Sequence, residues 1–129
     1  MNRFSKAAAL AAFALAGCTN MEMRRENSTQ TLSYTGPTGK THIITGFIGY
    51  GGWNEKMLTI NLDGQPAIKG NLDWSTASGT VSGQFGTTPA LANCTGQGKG
   101  PPTLSGQFQT YAVTCALFAD GKPIGSLHF

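Results

Sequence analysis

From residue 31 onward the apolar side chains recur at every second position, and the runs break at Gly, Pro, Asn and Asp. In M-L-T-I-N-L, Leu58, Ile60 and Leu62 share one face while Thr59 and Asn61 take the other. In A-I-K-G-N-L-D-W, Ile68, Gly70, Leu72 and Trp74 alternate with Lys69, Asn71 and Asp73. A period of two belongs to a strand with one buried face and does not match the helical period of about 3.6. Asp63-Gly64 separates these two runs, and a two-residue primed turn needs the positive φ that Gly tolerates. A second Asp-Gly, at residues 120 and 121, joins Y-A-V-T-C-A-L-F to P-I-G-S-L-H-F. The pattern predicts one all-β domain over residues 31–129, with about seven or eight short antiparallel strands and no helix.

Glycine narrows the architecture. The chain has 18 Gly in 129 residues, about twice the usual share of ~7%. Several lie inside strands on the apolar face, as in Ile44-x-Gly46-x-Ile48, Ile68-x-Gly70-x-Leu72, Val81-x-Gly83-x-Phe85 and Leu104-x-Gly106-x-Phe108. A glycine weakens a strand unless a bend or a facing residue needs the missing side chain. This arrangement predicts a small, strongly curved antiparallel barrel or a two-sheet sandwich. Two partial repeats accompany it: D-G-Q-P-A-I-K-G-N-L-D-W against D-G-K-P-I-G-S-L-H-F, and S-G-Q-F at both 82–85 and 105–108. Duplication of a hairpin unit would produce them, and so would chance in a chain rich in Gly and Ser. The terminal Phe129 is also common in membrane barrels, but their strands run to about 9–11 residues under a continuous outward apolar band. The strands expected here are shorter.

The first 17 residues follow another logic. Arg3 and Lys6 precede an apolar run, Ala7 to Gly17, that ends in Leu15-Ala16-Gly17-Cys18. The run is too short to cross a hydrocarbon core of ~30 Å, which takes about 20 residues, so these residues read as a signal peptide. Leu15 to Cys18 resembles the lipobox of bacterial lipoproteins. That resemblance implies cleavage before Cys18, acylation of its thiol and new amino group, and a membrane partner reached through those acyl chains. In the Gram-negative lipoproteins it resembles, Asp after the cysteine retains the protein in the inner membrane. Thr19 stands there, so the resemblance implies the periplasmic face of the outer membrane. With Cys18 so assigned, export to an oxidising compartment implies a disulfide between Cys94 and Cys115. The segment 18–30, polar and without apolar periodicity, is expected to be a lipidated tether.

Removing residues 1–17 also removes Arg3 and Lys6, leaving seven Lys and Arg against six Asp and Glu. The basic excess therefore belongs mainly to the signal, and no nucleic-acid partner is expected.

Motifs that carry chemistry are sparse. G-P-T-G-K-T, residues 36–41, resembles the end of a phosphate-binding loop, but Tyr34 stands at its first glycine and a β-like run follows, so a turn is expected. No metal site or cofactor is expected, because neither Cys94 nor Cys115 has a His or Cys at ligand spacing. His42 and His128 are isolated in sequence, and two of the domain's carboxylates, Asp63 and Asp120, occupy turns, so no catalytic residue is assigned. The best binding candidate is Y-G-G-W-N-E, where Tyr50, Trp53, Asn54 and Glu55 suit stacking on a sugar or docking of a protein. The competing expectation is that Tyr50 and Trp53 close one end of the barrel. Residues 75–129 carry only Lys99, Asp120 and Lys122 as charges, a composition suited to a neutral glycan or another protein. The expected function is non-enzymatic: an envelope lipoprotein that binds a partner, envelope protein or cell-wall glycan, or supports an assembly. One alternative is an inhibitor or immunity-type lipoprotein that blocks a cell-wall hydrolase or toxin. A minor envelope enzyme is the other.

Overall fold

A computed structural model describes residues 24–51, 55–101, 104 and 110–129. Its strands are β1 (Arg24–Asn27), β2 (Leu32–Thr35), β3 (Thr41–Tyr50), β4 (Lys56–Leu62), β5 (Gln65–Asn71), β6 (Gly79–Phe85), β7 (Thr88–Lys99), β8 (Thr110–Ala119) and β9 (Lys122–His128). All pairings are antiparallel, in the order β1-β3-β4-β5-β6-β7-β8-β9, with β2 beside β1 on the same edge of β3. The result is the all-β architecture expected from the period-two pattern, a single sheet curled into a half-barrel, with no helix among the described residues.

The ninth strand is β1, in the stretch read from sequence as tether. Its polar sequence R-R-E-N has no alternation to reveal it. It forms because β3 offers a free edge, where Arg24 pairs with Tyr50 and Asn27 with Phe47. The Arg24 and Arg25 guanidinium groups lie 4.7 Å from the centre of the Tyr50 ring and 3.5 Å from that of Phe47, so cation–π contact replaces the apolar burial that the strand lacks.

The apolar face turns inward. Ile44, Ile48, Leu58, Ile60, Ile68, Leu117 and Leu127 are fully buried, each such side chain contributing about 1.5–3 kcal/mol. Lys69, Thr80, Ser82 and Asn93 face outward, while Lys56 and Thr59 are buried. Three strands exceed the short lengths expected, β3 and β8 at 10 residues and β7 at 12, because each pairs along most of its length with a neighbour. Cys94 and Cys115 face each other in the β7–β8 register with Cα atoms 4.0 Å apart, and their sulfurs are bonded inside the core.

Two hairpins share one geometry. Asp63 and Gly64 have φ of 51° and 82°, and Asp120 and Gly121 have 52° and 74°. In β4–β5, Leu62 pairs with Gln65 and Asn61 with Pro66, and the register then shifts so that Ile60 meets Ile68. In β8–β9, Ala119 pairs with Lys122 and Phe118 with Pro123 before an equivalent shift to Leu117 and Gly125. Each bulge follows the proline, which has no N–H for the ladder. The chain thus has two four-stranded meanders, β2–β5 and β6–β9, each ending in the same hairpin.

These meanders meet at two joints. Between β5 and β6 a single residue pair, Ile68 and Gly83, stays in register. A Cβ on Gly83 would lie 2.3 Å from the Ala67 carbonyl oxygen, so only glycine permits this approach. At the other joint, where β9 comes round to the first strands, a Cβ on Gly125 would lie 3.2 Å from Leu32. There Thr29 N–H donates to the His128 carbonyl at 2.8 Å, and Gln30 Nε2 donates to that of Ser126 at 3.2 Å. Each joint sets an aliphatic side chain against a glycine.

The two ends of the curled sheet differ. Tight turns at 63–64, 86–87 and 120–121, with the β2–β3 turn, form one end. The connections after β3, β5 and β7 form the other, and the chain enters at this loop end because Arg24 pairs with Tyr50.

Candidate functional site

The loop end is built around Asp73. Its Oδ1 accepts hydrogen bonds from Ser75 N–H at 2.8 Å, Thr76 N–H at 3.0 Å and Ser75 Oγ at 2.5 Å. These bonds hold its carboxyl below the usual range, the Ser75 hydroxyl contributing most. The turn drives Ala77, at φ 58°, into the interior, where it is fully buried. A Cβ on Gly96 would lie 2.0 Å from the Thr76 carbonyl oxygen, so the loop seats itself on a glycine. Tyr111 closes the cover from below, its hydroxyl donating to the Ser75 carbonyl at 2.5 Å. Lys56 is buried beside it, with Nζ 5.0 Å from the Tyr111 ring centre and donating to the Trp74 carbonyl. Burial pushes the Lys56 ammonium down, and Asp73 pulls it partly back.

Of the residues singled out from Y-G-G-W-N-E, Tyr50 packs against the core at this end. Its hydroxyl donates to Glu26 at 3.3 Å, and burial, reinforced by Glu26, pushes the phenol up to about 12. Glu55 is exposed, and the loop is closed at its base by Gly51 N–H donating to the Glu55 carbonyl at 2.9 Å. Trp53, Asn54 and the lipidation candidate Cys18 lie outside the described residues. G-P-T-G-K-T is a turn between two strands, closed by Gly36 N–H to the Lys40 carbonyl at 3.0 Å.

The two histidines are partnered separately. His42 Nδ1 lies 2.6 Å from Asp63 Oδ2, and this hydrogen bond, with one from Ile43 N–H at 2.9 Å, holds the Asp63 carboxyl below its usual range. His128 Nδ1 lies 3.0 Å from the Thr114 hydroxyl. One histidine therefore has a carboxylate and the other a hydroxyl, and the two sets do not combine. Among the described residues no group of three or more His, Cys, Asp or Glu is placed to hold a metal ion.

A second region emerges from the outward positions of β6, β7 and β8. Thr80, Ser82, Leu91, Asn93 and Phe118 line a hollow of about 530 Å³ whose floor includes Gly83 and whose rim includes Pro89. From Asn93 a second depression, of about 320 Å³, continues along Thr95, Gln97, Ala112, Thr114 and Ala116. None of these side chains is charged. Hydroxyls and amides alternate with small apolar groups, and the Leu91 and Phe118 side chains, half-buried, stand at one end of the strip.

No protein-family model, curated protein or solved structure matches this chain. Function must therefore be argued from the site.

The sequence reading missed the specific members of this wall, although the scarcity of charge after residue 75 was its signal. Counting outward positions along 79–85, 88–99 and 110–119 would have selected Thr80, Ser82, Leu91, Asn93 and Phe118. The Lys56–Trp74–Tyr111 cover had no such signal, because its residues come from separate elements.

Proposed function

We propose that the protein is an outer-membrane lipoprotein of the periplasmic face, anchored through acyl chains on Cys18, whose role is to bind and not to catalyse. The observation that carries the binding role is the uncharged outer wall of β6, β7 and β8. Hydroxyl and amide groups of Thr80, Ser82, Asn93, Thr95 and Gln97 suit the hydroxyls and acetamides of a neutral glycan, and Phe118 and Leu91 suit its apolar ring faces. A cell-wall glycan is accordingly the favoured ligand class. The lipobox resemblance supports the location, and the buried Cys94–Cys115 bond is consistent with export.

Titration with soluble cell-wall glycan fragments, followed by amide NMR, tests this reading. Shifts should cluster on β6, β7 and β8 and vanish in Leu91→Lys with the fold retained. Shifts confined to the loop end, or none, would reject the glycan reading. Crosslinking in intact envelopes that recovers a hydrolase held at residues 50–55 would instead favour the inhibitor reading.

A further inference from the structure

We propose that the loop end of the half-barrel rests directly on the lipid surface, with Trp74 seated among the headgroups. This inference rests on the lipoprotein reading and adds to it an orientation and a second membrane contact. Five residues separate Cys18 from Arg24, and the six Cα-to-Cα steps reach at most about 20 Å when fully extended. Arg24 is fixed by its pairing with Tyr50 at the last position of β3. The ten residues of β3 carry the sheet about 33 Å from there to the tight turns. An anchor at Cys18 therefore holds the loop end close to the bilayer and the turn end far from it.

The surface that faces the lipid is suited to that contact. Three large hydrophobic residues are exposed among those described, and two of them, Trp74 at 53% and Leu104, belong to the connections of this end. The exposure of Trp74 is built in. Lys56 Nζ donates to its carbonyl, and the Asp73 carboxylate that precedes it accepts from the Ser75 and Thr76 N–H groups that follow it. A rigid loop thus presents an indole to the outside, and tryptophan is the side chain that favours the membrane interface, one end apolar and the other wet. Arg24, Arg25 and Lys99 are exposed at the same end, where anionic headgroups attract cations. Of the carboxylates at this end, Asp73 is engaged by its own loop through Oδ1, and Glu55 is exposed beside Trp74, so the cations outnumber the open carboxylate.

The test uses the acylated mature protein in vesicles of phosphatidylethanolamine and phosphatidylglycerol. Hydroxyl-radical labelling, read by mass spectrometry on the native sequence, should oxidise Trp74 several-fold more slowly on vesicles than in detergent, with Ile43 at the far end unchanged. In Trp53→Phe, where Trp74 is the sole tryptophan, emission should shift to the blue and be quenched several-fold by lipids brominated near the headgroup. Protein that floats with the vesicles while Trp74 stays as reactive as in detergent would overturn the docking and leave the anchor standing. Protein that does not float would overturn both. Protection that appears in native envelopes but not in protein-free vesicles would assign the loop to a protein partner and overturn the proposal.

Discussion

At Gly96 the fold depends on the absence of one carbon. The covering loop places the Thr76 carbonyl oxygen 2.0 Å, and the Ala77 Cβ 2.9 Å, from where a Cβ would sit. Gly96→Ala should therefore lose about 2 kcal/mol or more in urea unfolding, as overpacked interiors do. Gly36→Ala, whose nearest neighbour would be His42 Nε2 at 3.7 Å, should stay within about 0.5 kcal/mol of the parent. Asp63 supplies the pH dependence. Its folded pKa is depressed, first by the His42 hydrogen bond, so its contribution is complete above its ordinary value and fades as pH falls through the folded one. Stability should then drop below about pH 4 more steeply in the parent than in Asp63→Asn, as followed by thermal melts across that range. Gly83 was legible in the sequence as the centre of a large–glycine–large triplet, whereas Gly96, between Cys94 and Gly98, was not. The partners of neither were legible, because Thr76 and Ala67 reach them from other elements.

Hairpins and strands were the best-read level. Asp63-Gly64 and Asp120-Gly121 form the turns that the dipeptides announce, and the bulge after each proline follows from the missing N–H. β1 was the failure: its polar residues gain their place from the edge of β3, and no local pattern encodes a neighbour's edge. The β7–β8 hairpin is tied by the Cys94–Cys115 bond, which encloses the long connection between them. Reducing that bond should cost about 3 kcal/mol of unfolding free energy by loop entropy, seen as a lower urea midpoint in dithiothreitol. An unchanged midpoint would mean that strand pairing alone holds the two cysteines together.

Over the whole molecule, one end is made of tight turns, the other of longer connections, and an uncharged wall runs between them on the outer side. The low charge of residues 75–129 made a neutral contact surface legible, but not which strands would assemble it. Sequence spacing cannot tell an outward position on β6 from its neighbour on β8 until the register is known. Location was readable only as a resemblance in the first 18 residues, and orientation depends on where the tether joins the sheet. Cys18 is decisive, because both the address and the proposed lipid contact follow from an anchor there. Intact-mass spectrometry of the protein extracted from membranes tests it most directly. The predicted mass is that of a chain beginning at Cys18 and carrying acyl groups on its thiol and amino group. A chain that keeps residues 1–17, or one with an unmodified Cys18, would contradict it.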